Sequence, residues 1–139
     1  MYTFAYEENG PVTVSELTDL YKSVSWSAYY EDRDIMQRLL VGSLYYLTVR
    51  YDGQLIGLIR TVGDGCYILY IQDILVHPDW HRRGIGTTLI RQTLETFKDM
   101  KQIILTTDQT DKTRSFYESV GFVEMSEAQA VSFIKLSSH

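Results

Sequence analysis

The chain has 139 residues, 45% of them hydrophobic and 22% charged, and a net charge of −5. That suits a single globular domain, residues 1–139, with its own core; a second domain would be too small to fold alone. Nucleic acid and anionic membrane are excluded as partners, because they need clustered Lys and Arg, and the basic residues are spread out apart from Arg82–Arg83. The lone Cys66 rules out an internal disulfide, and no apolar run reaches the length of a membrane span or signal-peptide core. The reducing cytoplasm is the expected compartment.

The segment from Tyr2 to Glu7 alternates aromatic and polar residues and predicts a first strand ending at Asn9-Gly10-Pro11. Thr13 and Glu16 have the spacing of a capping box, with Val12 and Leu17 as its hydrophobic staple. Leu17, Leu20, Tyr21 and Val24 continue at helical spacing. Trp26 to Glu31 lacks a period and reads as a loop before a second helical pattern at Ile35, Met36, Leu39 and Leu40. Leu44–Tyr51 and Gln54–Thr61 flank Asp52-Gly53, the favoured type I′ pair, and predict a hairpin. Tyr67 to Val76 is apolar almost throughout, as in a central strand buried on both faces, except at Gln72 and Asp73. A loop at His77–Arg83, a helix carrying Ile85, Leu89, Ile90, Leu94 and Phe97, and a strand Gln102–Thr107 complete a parallel βαβ crossover. A helix over Asp111–Val120 stops at Gly121. Phe122–Met125 and Val131–Leu136 are expected as two last strands.

The run His81-Arg82-Arg83-Gly84-Ile85-Gly86 leaves a strand and opens a helix. Backbone N–H groups there lie at the positive end of the helix dipole, which makes an anion site. Gly84 and Gly86 would let a diphosphate reach those amides, and Arg82 and Arg83 add charge suited to phosphate. The alternative is that the glycines only allow helix to pack closely on sheet. Two better-known phosphate loops do not fit: no Walker A run exists, and the dinucleotide fingerprint needs Gly or Ala where this chain has Leu89.

With Ile74-Leu75-Val76-His77-Pro78-Asp79-Trp80 before it, this loop resembles the coenzyme-binding motif of the GNAT superfamily of acetyltransferases, Gln/Arg-x-x-Gly-x-Gly/Ala. Ser115-Phe116-Tyr117-Glu118-Ser119-Val120-Gly121-Phe122 resembles the family's second signature, a helix ending in Phe-Tyr-x-x-x-Gly-Phe. The two motifs and the element order extend the resemblance over nearly the whole chain. It implies the acyl-CoA N-acyltransferase fold, an α/β (α+β) mixed sheet of six to seven strands flanked by about four helices. Two positions depart from the pattern. His81 stands where Gln or Arg is usual, and Thr110-Asp111 replaces the Asn often found at the start of the later helix.

The resemblance further implies acetyl-CoA as co-substrate, no metal, and attack by a primary amine within a ternary complex. The coenzyme would be held by Ile74, Leu75 and Val76, by His81 to Thr87, and by Thr110, Phe116 and Tyr117. A bulge would splay the central strand and leave an N–H near Leu75 as oxyanion donor. Tyr117 stands in the family's general-acid position, since a phenol of pKa about 10 can protonate a thiolate; the alternative is a core tyrosine. Asp73 interrupts an apolar strand, which points either to a carboxylate that attracts and deprotonates the amine or to a bulge that turns it onto a hydrated groove or into a pair with an arginine. The loop histidines His77 and His81 are weaker candidates for that base. Trp26, Tyr29, Tyr30, Glu31, Asp32 and Gln72 fall along the acceptor's path, and aromatic faces with carboxylates suit an aralkylamine or polyamine-like ammonium. Many relatives form homodimers through sheet edges, an alternative that stays open. So does a catalytically weak acyl-CoA sensor or partner-binding module on the same fold.

Overall fold

The computed structural model describes residues 2–137, which fall into two compact units dividing after Thr106. The first unit contains β1 (Ala5–Glu8), α1 (Val14–Ser23), α2 (Ser27–Tyr30), α3 (Arg33–Arg38), β2 (Tyr45–Tyr51), β3 (Gln54–Gly63), β4 (Ile68–Val76), α4 (Ile85–Thr96) and β5 (Gln102–Leu105). The sheet order is β1-β2-β3-β4-β5, antiparallel throughout except for the parallel pair β4-β5 that the α4 crossover joins.

Local chemistry sets most of these boundaries. The Thr13 hydroxyl accepts the Glu16 N–H at 3.1 Å while the Glu16 carboxylate accepts the Thr13 N–H at 2.9 Å, so the capping box is reciprocal. Val12 packs on the cluster that contains Leu17. The Asp52-Gly53 turn has φ of +49° and +83°, as a type I′ turn requires, and closes the Tyr51↔Gln54 register. The aperiodic stretch after Trp26 is not a loop throughout, since Ser27–Tyr30 forms the single-turn α2.

α1 and α4 cover opposite faces of the sheet. Leu17, Leu20 and Tyr21 of α1 join Met36, Leu55, Leu58 and Leu75 in one buried cluster. Gly57, whose side alternates with that of Leu58, lies against Ile85 of α4. β4 is buried at Leu69, Ile71, Asp73 and Leu75 but open at Gln72, so it is less enclosed than its apolar sequence suggests.

The second unit contains α5 (Asp111–Ser119) and a 3-10 turn at Met125–Ala128. The expected strands Phe122–Met125 and Val131–Leu136 do not form among the described residues, so the sheet has five strands and not six or seven. A strand exists only by pairing, and Val131 and Phe133, 68% and 94% exposed, have neither a ladder nor a face to cover. No helix among the described residues is long and apolar enough to cross a membrane.

Candidate active site

The loop between β4 and α4 is built to leave its amides free. Pro78–Trp80 forms a 3-10 turn capped by the His77 ring, whose Nδ1 accepts the Asp79 N–H at 3.1 Å. His81 Nε2 lies 2.8 Å from the Val76 carbonyl oxygen and ties the loop to the end of β4. Both histidines are therefore occupied within the loop. Arg82 and Gly84 then take left-handed conformations, at φ of +64° and +76°.

Among the described residues, no N–H from Arg82 through Thr87 donates to a protein acceptor. Any helix leaves its first four N–H groups open; here Arg82 and Arg83 extend the free set backwards into a concave nest. A Cβ at Gly84 would meet no protein atom within 4 Å, so it would stand in the open space beside these amides. The left-handed φ is the reason this residue is glycine. The Arg83 guanidinium lies 4.5 Å from the Tyr2 ring centre and 5.3 Å from that of Trp80, held in place by cation–π contact. Arg82 is exposed and makes no ion pair among the described residues.

β4 itself changes partner along its length. Arg60 pairs with Asp73 and Thr61 with Ile71, which leaves Gln72 as the extra residue of a bulge. Pairing with β5 ends at Ile71↔Leu105. From Gln72 to Val76 the strand has β3 on one side and no described ladder partner on the other. On that open side stand the main-chain groups of Ile74 and Val76, the Val76 carbonyl being met by His81; the expected donor Leu75 is not among them, because its N–H lies in phase with the His77 N–H that donates to the Ile56 carbonyl and so faces Leu58 of β3.

Of the readings of Asp73, the geometry shows the arginine pair and not a hydrated groove. The carboxylate is 4% exposed and accepts three bonds: Arg60 Nε at 2.9 Å and Tyr21 Oη at 2.9 Å on Oδ2, and Tyr29 Oη at 2.7 Å on Oδ1. Burial works to lower the Arg60 pKa, but Asp73 outweighs it and holds the guanidinium above its ordinary value. Burial pushes the Tyr21 hydroxyl well up, as the Asp73 charge does too, and Tyr29 is raised in the same way. Both tyrosines stay protonated donors. The exposed Gln72 side chain donates to Tyr29 Oη at 3.2 Å. Trp26 and Tyr30 pack against the α1 cluster, and the Trp26 ring lies 5.9 Å from Tyr21 and 6.2 Å from Tyr29. The Asp32 carboxylate caps α3 through the Ile35 N–H, and Glu31 is exposed. The sequence did not point to Arg60, and it marked Tyr21 only by its helical spacing. Arg60 interrupts an apolar strand just as Asp73 does, and matching the two interruptions across neighbouring strands would have found the pair.

In the second unit, the residues Phe116 to Phe122 form a Schellman motif. The Phe122 N–H donates to the Tyr117 carbonyl and the Gly121 N–H to the Glu118 carbonyl, with Gly121 at φ +102°. The Tyr117 and Phe122 rings meet edge to face at 5.9 Å, the apolar contact that accompanies this cap. The spacing Phe-Tyr-x-x-x-Gly-Phe therefore has a local structural cause, and it fixes the Tyr117 ring. Its hydroxyl makes no protein hydrogen bond among the described residues, and burial, with the Asp108 charge, raises its pKa. Thr110 caps α5: its hydroxyl accepts the Thr113 N–H and donates to Asp108, so it is engaged locally.

A mixed sheet whose central strand frays past a bulge, and then crosses over through an amide nest, is the architecture of acyl-CoA N-acyltransferases. A family model described as an acetyltransferase (GNAT) domain matches residues 6–137, and the chain belongs to that family of N-acetyltransferases. It is 31% identical over 127 residues to an uncharacterized N-acetyltransferase, ycf52-like, of Prochlorococcus marinus, covering 87% of this chain and 68% of that one. A GNAT-family acetyltransferase of Streptococcus pneumoniae superposes with a TM-score of 0.86 at 29% identity, covering 99% of this chain and all of the other. An aminoglycoside N-acetyltransferase solved in complex with CoA shares the fold at 16% identity, with a TM-score of 0.72 over 99% and 96% of the two chains.

Proposed function

We propose that this enzyme transfers acetyl from acetyl-CoA to the primary amine of a small molecule by direct attack in a ternary complex. The observation that carries the proposal is the run of unpartnered amides from Arg82 to Thr87 at the mouth of α4, in line with the free edge of β4. A diphosphate satisfies such a nest, and the guanidinium of Arg83 and the charge of Arg82 complement it. A pantetheine arm carries amides that can pair with the open edge of β4 at Ile74 and Val76, as an added strand would. The CoA complex of the aminoglycoside enzyme supports the same choice of donor.

In this reading the main-chain N–H of Ile74, which faces the open edge of β4, donates to the carbonyl oxygen as negative charge develops there. Tyr117 supplies the proton to the departing thiolate. A raised phenol pKa keeps that proton on the oxygen at neutral pH. Asp73 has its lone pairs largely used by Arg60, Tyr21 and Tyr29, so it contributes a fixed, hydrogen-bonded charge near the acceptor and not a free base. Proton loss from the incoming ammonium then passes to water at the exposed Gln72 bulge. An exposed thiol at Cys66 is compatible with a reducing cytoplasm.

Calorimetric titration with acetyl-CoA, followed by a thiol-release assay over alkylamines, aralkylamines, polyamines and aminoglycosides, tests the proposal. Binding with amine-dependent thiol release is expected. No binding would remove the coenzyme reading, and binding without release for any amine would favour an acyl-CoA sensor.

A further inference from the structure

The carboxylate of Asp73 takes only one of the five N–H donors that a guanidinium carries, the one on Nε. Arg60 is 8% exposed; besides Asp73 the Tyr29 hydroxyl lies near its guanidinium, but its two Nη nitrogens make no protein hydrogen bond of good geometry among the described residues. The Tyr45 hydroxyl is the one buried side-chain polar atom found without a partner among those residues, so the Arg60 Nη groups touch solvent. Arg60 also lines a depression of about 250 Å³, together with Ile35, Arg38, Leu39 and Gly42. Two cations thus meet between two aliphatic side chains, beside the polar network that holds β4.

We propose that this depression is a carboxylate subsite, and that the acceptor amine carries a carboxylate that Arg60 binds with Arg38 at the rim. The inference rests on the acetyltransferase reading and names its substrate class. The planar fork of Nη donors matches a carboxylate in two parallel bonds, which a point charge could not do. Burial raises the strength of those bonds, because the competing water is limited. Neither cation is spent by its existing partner. Asp73 occupies Nε and divides its own charge with two tyrosine hydroxyls. The Arg38–Asp34 bridge is 78% and 68% exposed, the kind of pair that contributes little and exchanges readily. Arg60 lies opposite Asp73, one residue before Ile74, so about 3.4 Å of strand separates its level from the expected oxyanion donor. An amine and a carboxylate of one small molecule can span that distance.

The test compares kcat/KM for three amines and their decarboxylated counterparts: tyrosine with tyramine, alanine with ethylamine, and 4-aminobutyrate with propylamine. At least one carboxylate-bearing member should be preferred by about tenfold or more, the scale of one charge-assisted hydrogen bond. Arg60→Lys keeps a positive charge for Asp73 but removes the fork, and should bring that preference below about threefold. Arg38→Gln, at an exposed position, should weaken it in the same direction and decides the matter if the lysine variant does not fold. Equal or inverse preference in all three pairs overturns the subsite, as does a preference that neither variant reduces. Should no amine be turned over, the acetyl-transfer reading fails separately. Calorimetry of the six compounds on the coenzyme-loaded protein then judges the subsite: selective, Arg38-dependent binding of a carboxylate-bearing member upholds it, and its absence overturns it.

Discussion

Replacing Asp73 with Asn removes the one negative charge facing Arg60 while keeping the shape of the side chain. The Arg60 guanidinium would remain buried, with Tyr21 and Tyr29 still aimed at the vacated oxygens. However the amide turns, its NH2 group faces a position that now receives a donor. Breaking a buried pair by removing one partner costs about 3–5 kcal/mol. Native domains hold only about 5–15 kcal/mol in total, so Asp73→Asn should lose a large part of the folded state's margin. In urea, with a slope of about 2 kcal/mol/M, the midpoint should fall by about 2 M with the slope unchanged. The double variant Asp73→Asn with Arg60→Met should recover part of the loss, because no unpaired charge remains. A midpoint shift below about 0.5 M together with abolished turnover would refute this reasoning and make Asp73 the acceptor's base.

Tyr117→Phe should lower turnover by about 10²-fold with little change in coenzyme affinity, measured by thiol release and calorimetry; unchanged turnover removes Tyr117 from the reaction. Gly84→Val forces a β-branched residue into φ +76° and puts its methyls into the open space beside the free amides, so acetyl-CoA binding should be lost while circular dichroism stays native. Retained binding would mean that the diphosphate is seated elsewhere. The Arg50 guanidinium, with the Thr13 N–H, lowers the Glu16 pKa from 4.5 to about 2. Because the folded value is the depressed one, the stability that Glu16 adds is fully present above about 4.5 and is lost as pH falls through about 2. Glu16→Gln should therefore flatten the acid limb of the stability curve between those values while destabilising the protein at neutrality, as followed by urea melts at several pH values.

The local elements were legible because each rests on neighbours within a few residues. The Thr13–Glu16 box, the Asp52-Gly53 hairpin and the Gly121 cap appear where their spacing puts them. The two motifs at His81–Gly86 and Phe116–Phe122 were likewise readable, and the structure supplies their physical content: an amide nest in one, a Schellman cap in the other. The last two strands failed for the opposite reason. Alternation in Val131–Leu136 expresses a capacity to pair, and pairing needs a partner that the segment's own residues cannot provide.

What the sequence by itself determined is the family, the order of elements and the place of the phosphate loop, all of which depend on short-range backbone chemistry. Only the tertiary structure decided what Asp73 does. Its partners Tyr21, Tyr29 and Arg60 lie 52, 44 and 13 residues away, and they converge through helix packing and a one-residue bulge at Gln72. A slip of one residue in that register would turn the carboxylate to the other face, so its role follows from sheet pairing and not from its neighbours in the chain.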